Sequence, residues 1–276
     1  MNTTAPGVSV IVCCYNSVKR LPETVKHLAQ QIVPDDINWE VIIVNNASSD
    51  HTYETAVSEL RRYETLVNRA KVLNESKPGL SFARELGITT AKYAYIIFCD
   101  DDNWLASNYV ALSHKIMSEN HTIGALGGES DAATDADQFP DWFENAKGSF
   151  AVGKQQSYDG FTNRNLWGAG MIIRKELYKK CFPPEYPSYL TGRNGSKLSA
   201  GEDTEYCLRL QLKNYRLYYD SRLKFTHFIS QSRLSQTYYA NLGIGFNEAI
   251  TQLFDQIQLV LWKNASFFGK LTIVFK

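Results

Sequence analysis

The chain has 276 residues, 44% of them hydrophobic, and its 29 basic side chains balance its 29 acidic ones. That much apolar material builds a real core and excludes disorder, while the balanced charge offers no global basic field for nucleic acid. The five cysteines are odd in number and form no C-x-x-C pair, which excludes a disulfide framework or a cysteine-ligated zinc and suits a reducing, cytoplasmic setting. Residues 1–7 are short and polar without a signal-peptide layout, and no apolar run approaches the roughly 18 residues of a membrane span, so neither export nor spanning is expected.

In chain order, the β-branched run Val8 to Cys14 predicts a strand ending at Tyr15 and Asn16. Leu21, Val25, Leu28 and Ile32 follow at helical spacing, with Ser17 placed to cap them. Trp39 to Val44 repeats the strand signal and ends at Asn45 and Asn46; Asp50 then caps a helix carrying Tyr53, Val57, Leu60 and Val67. Ala70 to Leu73 is a third strand, and a helix from Leu80 to Ala91 follows the Pro78-Gly79 turn. The apolar run Tyr95 to Cys99 reads as a strand buried on both faces, closed by Asp100, Asp101 and Asp102. A helix from Leu105 to Glu119 and a strand Ile123 to Leu126, closed by Gly127-Gly128, complete the alternation. Repeated βα units with short connections predict an α/β fold with a Rossmann-like, mostly parallel sheet flanked by helices.

Beyond Glu129 the alternation stops. Asp131 to Asp141 is an acidic loop, Trp142 to Ala146 a helical turn, and Gln155 to Arg164 a polar, turn-rich stretch. Trp167-Gly168-Ala169-Gly170 leads into the strand Met171 to Ile173, and a short helix starts at Lys175. Tyr189 to Ser199, with Gly192, Arg193, Gly195 and Lys197, has the composition of a mobile loop. It precedes Gly201-Glu202-Asp203 and a helix from Thr204 to Leu212; two short strands, Leu217 to Tyr219 and Leu223 to Thr226, then lead to His227. No linker separates two independent domains.

Three consecutive carboxylates at a strand's carboxyl end repel one another unless a cation or a proton intervenes, and that end of an α/β sheet is where ligands bind. A divalent metal explains the cluster; the alternative is an acidic turn that starts the next helix, with Asp102 or Asn103 as N-cap. For Glu202 and Asp203 the alternative is that they are simply favourable first-turn acids. Cys13 and Cys14 read as packing residues, since nothing near them would activate a thiolate. Trp167, Tyr158, Phe161 and Trp142 present flat faces on which a ligand could stack, although such aromatics more often serve the core.

Together these motifs resemble glycosyltransferase family 2, of GT-A fold, over roughly residues 8–245. The matching stretches are Val8 to Val12 with Tyr15-Asn16, Val41 to Asp50, Gly79-x-Ser81-x-Ala83-Arg84-x-x-Gly87-Ile88, Asp100 to Asp102, Gly168 to Gly170, Gly201-Glu202-Asp203 and His227. The resemblance implies an inverting, metal-dependent transfer of a sugar from a nucleotide diphosphate sugar, with a UDP-sugar favoured, to a hydroxyl of a glycan or lipid-linked glycan, in surface polysaccharide synthesis. It implies Asp102, with Asp100 and His227, as contacts of Mn²⁺ or Mg²⁺, and a neutral imidazole tilts that choice toward manganese. Asp203 becomes the general base, with Glu202 beside it orienting the loop or the acceptor. Tyr15, Asn16, Asn45, Asn46, Asp50, Arg84, Asp100 and Asp101 fall at the nucleotide; Trp167, Gly168, Arg193 and Lys197 fall on the acceptor or diphosphate loop. Two departures stand out: Asn45 replaces the aspartate that many relatives present to the base, and Glu85 stands where the family has asparagine after its arginine.

The expected organisation is a nucleotide-sugar-binding half (1–128), an acceptor-side and catalytic-base half (129–245) and a helical tail (246–276). The tail's mixture of Leu253, Phe254, Ile257, Leu261, Trp262 and Phe267 to Phe275 with Lys263, Lys270 and Lys276 suits peripheral contact with a membrane interface, or a helix packed on the catalytic domain or on a second subunit. Two other classes compete with the enzyme reading. One is a sugar-nucleotide-binding module without turnover; the other is an aspartate-cluster phosphoryl-transfer protein, which Asn103-Trp104 does not suit.

Overall fold

The computed structural model describes residues 5–190, 192–193 and 200–265. Nine strands form one sheet: β1 (Ala5–Cys14), β2 (Trp39–Asn46), β3 (Ala70–Glu75), β4 (Tyr93–Asp100), β5 (Asn103–Leu105), β6 (Ile123–Ala133), β7 (Gly160–Thr162), β8 (Ile172–Arg174) and β9 (Arg216–Phe228). Their order is β3-β2-β1-β4-β8-β6-β9-β5, with β7 paired to β9. The first four are mutually parallel, β8 runs antiparallel between β4 and β6, and β6 pairs parallel with β9. Among the described residues ten helices accompany them: α1 (Leu21–Ala29), α2 (Thr52–Arg61), α3 (Glu64–Val67), α4 (Leu80–Thr90), α5 (Tyr109–Glu119), α6 (Phe143–Ala146), α7 (Lys175–Cys181), α8 (Glu202–Leu212), α9 (Gln236–Gln252) and α10 (Phe254–Asn264).

Alternation along β1 explains the two-sided packing. Val8, Val10 and Val12 join Leu21, Val25 and Leu28 of α1 in one core, whereas Ile11 joins Ile42, Ile96, Ala83 and Ile88 in the core on the other face. Each of these fully buried aliphatic side chains contributes about 1.5–3 kcal/mol relative to exposure. The expected mostly parallel α/β sheet is therefore present, with its parallel strand ends β1, β2 and β4 opening toward one edge.

Several local expectations need correction. Gly127-Gly128 does not end β6, which continues to Ala133; a Cβ on Gly128 would lie 2.1 Å from the Leu223 carbonyl oxygen, so the glycines permit close approach of β9 at a bulge. The two short strands after Leu217 are one continuous β9. Leu105 belongs to β5, paired to β9, and the following helix starts only at Tyr109. On α2 the buried face is Thr52, Ala56, Glu59 and Leu60; Val67 lies on the separate α3 and is exposed, because the chain turns at Arg62. Ile32 is past the end of α1 and exposed. Ser17 turns its hydroxyl to Asp101 instead of capping α1.

The expected tail helix is α10. Leu253 and Val260, with Ile257 beside them, pack with Leu208 of α8, and Lys263 Nζ donates to the terminal α8 carbonyls of Gln211 (2.8 Å) and Leu212 (2.9 Å). Phe254, Leu259, Leu261 and Trp262 remain exposed on its outer side. Among the described residues no helix is long and apolar enough to cross a membrane. The apolar run from Phe267 to Phe275 lies outside the described residues.

Candidate active site

The carboxyl ends of β1, β2 and β4 meet the start of α8 and the end of β9 around a cleft of 910 Å³, lined among others by Tyr15, Asn46, Arg84, Asp100, Asp102, Trp167, Arg193, Asp203 and His227. Parallel strands deliver their last residues to the same edge, which is how residues 15 and 102 come together. Antiparallel pairing of β5 with β9 sets Asn103 opposite His227 and so brings the imidazole to Asp102.

Asp102 is the electrostatic centre of this cleft. Its Oδ1 lies 3.4 Å from His227 Nε2, and its Oδ2 accepts a hydrogen bond from Arg233 Nη1 at 2.8 Å. Burial alone would raise this carboxyl, but His227 and Arg233 outweigh it and hold Asp102 well below the usual carboxylate range. Its neighbour moves the other way. Burial, helped by the Asp102 charge, raises Asp101 despite Arg20 and Ser17, which occupy its carboxylate: Arg20 Nη2 donates at 2.7 Å and Ser17 Oγ donates to the same oxygen. Asp101 thus ties β4 to the loop after β1, at the lining of the same cleft.

His227 Nδ1 lies 2.7 Å from the Phe150 carbonyl oxygen, which can only accept, so Nδ1 carries a proton. Its Nε2 lone pair then faces the Asp102 oxygen unless a proton or a cation lies between them. The donor set of one carboxylate oxygen and one imidazole nitrogen fits a Mn²⁺ or Mg²⁺ that takes its remaining ligands from a substrate. Among the described residues no cluster of three or more His, Cys, Asp or Glu side chains forms a closed metal cage, so the set of Asp100, Asp102 and His227 is not preassembled.

Asp203 is the second residue of α8, where the N-terminal dipole favours a carboxylate. Gly168 N–H donates to its Oδ2 and Thr204 N–H to its Oδ1, both at 2.7 Å. A Cβ on Gly168 would come within 2.9 Å of Arg84 Nη2 and 3.3 Å of Asp203 Cβ, so any side chain here would push on both residues. Arg84 is buried, stacks over the Phe98 ring at 4.7 Å and pairs with Glu202 Oε1 at 3.4 Å. Burial raises the Glu202 carboxyl, against the pull of Arg84 and with the push of Asp203. Glu202 is therefore engaged with Arg84, and Asp203 is the carboxylate held in the cleft by backbone donors.

The other expected residues have these surroundings. Asn46 Oδ1 accepts from Gly79 N–H at 2.8 Å, and its Nδ2 donates to the Lys77 carbonyl at 2.7 Å, which fixes the turn before α4. Asn16, in the left-handed region at φ 50°, accepts from Ser49 N–H at 2.9 Å. Asp50 Oδ1 accepts from Thr52 N–H at 3.1 Å, at the start of α2 as expected. Asn45 Nδ2 reaches Asn74 Oδ1 at 2.9 Å on the β2–β3 side, away from the cleft lining. Arg193 lines the cleft, and its carbonyl accepts from Leu80 N–H at 3.1 Å; Lys197 lies outside the described residues. Burial pushes the Cys13 thiol up to about 12, in keeping with a packing role. Trp142 packs with Phe143, Phe150 and Tyr239, whereas Tyr158 is exposed.

Sequence reasoning missed Arg233, Arg20 and Ser17. Arg233 pairs with a residue 131 positions earlier, a separation that no local pattern reveals. A hint existed for Arg20, which stands one turn past Asn16 and close to the acidic cluster once β1 and β4 are taken as parallel neighbours.

A mostly parallel sheet with carboxylates and a histidine at its carboxyl edge defines the GT-A class. The model for "Glycosyl transferase family 2" matches residues 9–182, and the chain belongs to that family. Glycosyltransferase GlyG of Streptococcus pneumoniae is 31% identical over 121 residues, 44% of this chain and 38% of that protein. Matches to three such relatives span only 19–38% of their lengths. Two solved structures share the fold: S. aureus TarS 1-349 in complex with UDP-GlcNAc (TM-score 0.58, 18% identity, 92% of this chain and 70% of that one), and GalNAc-T7 with UDP, GalNAc and Mn²⁺ (TM-score 0.58, 17% identity, 81% and 44%).

Proposed function

We propose that the protein is an inverting glycosyltransferase that moves a sugar from a nucleotide diphosphate sugar, a UDP-sugar in the first instance, to a hydroxyl of a glycan or lipid-linked glycan acceptor during surface polysaccharide synthesis. The observation that carries this reading is one cleft holding two differently prepared carboxylates. Asp102 is kept ionised beside His227 and Arg233, while Asp203 is oriented by the Gly168 and Thr204 amides.

Glycosyl transfer leaves negative charge on the departing diphosphate and positive charge at the anomeric carbon. Arg84, Arg193 and Arg233 line the cleft and supply cationic groups for the diphosphate. Asp102 and His227 would hold a divalent metal, Mn²⁺ or Mg²⁺, which when bound supplies further positive charge for the leaving group. Asp203 accepts the proton of the acceptor hydroxyl as its oxygen attacks the face opposite the diphosphate, which inverts the anomeric configuration. The UDP-bound and UDP-GlcNAc-bound forms of TarS, and the UDP and Mn²⁺ of GalNAc-T7, support the choice of donor and cofactor. The exposed apolar side of α10 supports peripheral contact with the cytoplasmic membrane face, where a lipid-linked acceptor would lie.

The test is a panel of nucleotide sugars, with and without Mn²⁺, followed by calorimetry for binding and by nucleotide release for turnover. UDP-sugar binding strengthened by metal, with product of inverted anomeric configuration, is expected. Binding without any release in the presence of glycan acceptors would favour a sugar-nucleotide-binding module.

A further inference from the structure

A second concavity of 1010 Å³ opens away from the cleft, between the 154–158 loop, β7, the end of α8, the start of β9 and the end of α10. It shares no lining residue with the cleft. Among the described residues four cations line it, Lys154, Arg164, Arg216 and Lys263, and no carboxylate does. In a chain of 29 positive and 29 negative residues, that local imbalance is a feature of the fold and not of the composition. Lys154, Arg164 and Arg216 are exposed, and among the described residues none of them has an acidic partner.

The rest of the wall suits a sugar chain. Amides of Gln156, Asn163 and Asn214 offer both donors and acceptors, and Tyr158 stands at the rim with 65% of its surface exposed, a flat apolar face beside polar groups. Arg216 is exposed but lies over the Phe161 ring at 3.1 Å, a contact that favours one placement of its charge. The groove is also wired to the cleft. Gln155 lies in its wall and accepts from Trp167 N–H at 2.8 Å, one residue before the Gly168 that holds Asp203.

We infer that this groove is a second ligand site, for a glycan strand that carries phosphate or carboxylate groups. The chain's own last eleven residues do not match it in charge, since they contain Lys270 and Lys276 and no acid. Its concave shape suits a strand better than a flat lipid surface.

The test uses the full chain and three probes in calorimetry: a hexameric galacturonate, a phosphate-bearing hexasaccharide and neutral maltohexaose. Anionic hexamers should bind at least tenfold more tightly than maltohexaose, and less tightly as salt is raised. Lys154→Gln with Arg164→Gln should weaken them about tenfold, about threefold for each exposed cation. Both positions are exposed and unpaired, so thermal unfolding should not change. UDP affinity, measured in parallel, should stay within twofold; its absence in wild type would count against the donor reading alone. Equal binding of maltohexaose, an unweakened double variant, or no binding of either anionic hexamer would overturn the inference. So would capture by phosphatidylglycerol vesicles with no hexamer bound, since that would make the groove a lipid contact.

Discussion

Arg233 donates to Asp102 at 2.8 Å across a sequence separation of 131 residues, and both side chains are largely withdrawn from water. The pair closes the far side of a carboxylate whose near oxygen faces His227. Its stabilisation depends on pH with a definite sign. Asp102 has a folded-state affinity for protons lower than the unfolded chain's, so its contribution is fully present above the ordinary carboxylate range near pH 4 and is lost as pH falls below it. In metal-free protein, Asp102→Asn should therefore destabilise strongly at pH 6 and progressively less between pH 4 and pH 2. Urea unfolding of both proteins across this range measures it; a difference that does not change with pH would contradict the assignment. Removing either partner of such a buried pair costs about 3–5 kcal/mol.

Asp203→Asn can keep only one of the two backbone hydrogen bonds, from Gly168 or from Thr204, and removes the proton acceptor. Turnover should fall by about 10²–10⁴-fold, with donor affinity almost unchanged. Single-turnover kinetics together with calorimetry separate the two quantities, and a loss confined to donor affinity would assign Asp203 to binding.

Gly168→Ala tests the positioning of that base without touching it. The added methyl would meet Arg84 Nη2 at 2.9 Å and Asp203 Cβ at 3.3 Å, so the helix start must shift by a few tenths of an ångström. A rate loss of about 10–100-fold at unchanged unfolding temperature is expected, because misplacement near the reacting centre costs more in rate than in stability. Full activity in the alanine variant would mean that the loop relaxes freely.

The outer side of α10 offers a fourth test. Phe254, Leu261 and Trp262 are about half exposed, whereas Val260 on the opposite side is buried. Replacing Phe254 and Leu261 by serine should leave the fold stable and lower co-sedimentation with anionic liposomes several-fold. Wild-type protein that stays in the supernatant would point to a protein partner for this face.

Elements whose environment is set by local pattern were legible in the sequence. The alternation in Val8 to Cys14 and the double-sided burial of Tyr95 to Cys99 required only periodicity, and the clustering of acids at strand ends followed from parallel order. What sequence could not show was the use of pairs remote along the chain. Asp101 was expected at the nucleotide without a metal role, and nothing in its local pattern revealed its bonds to Ser17 and Arg20 in the loop after β1. Gly127-Gly128 carried the same ambiguity, since a glycine pair marks either a turn or a close backbone approach, and β9 decides which.

That continuity of β6 bears on how relatives of this fold can diverge or be engineered. The division expected at 128/129 falls in the middle of an eleven-residue strand whose later residues pair with the same β9 that carries His227 next to its end. A graft that exchanged everything after residue 128 would sever one rung of the sheet and shift the register that places the imidazole. Exchange of segments between relatives is thus confined to the connections between strands, such as residues 134–159, while the strands behave as one indivisible chassis.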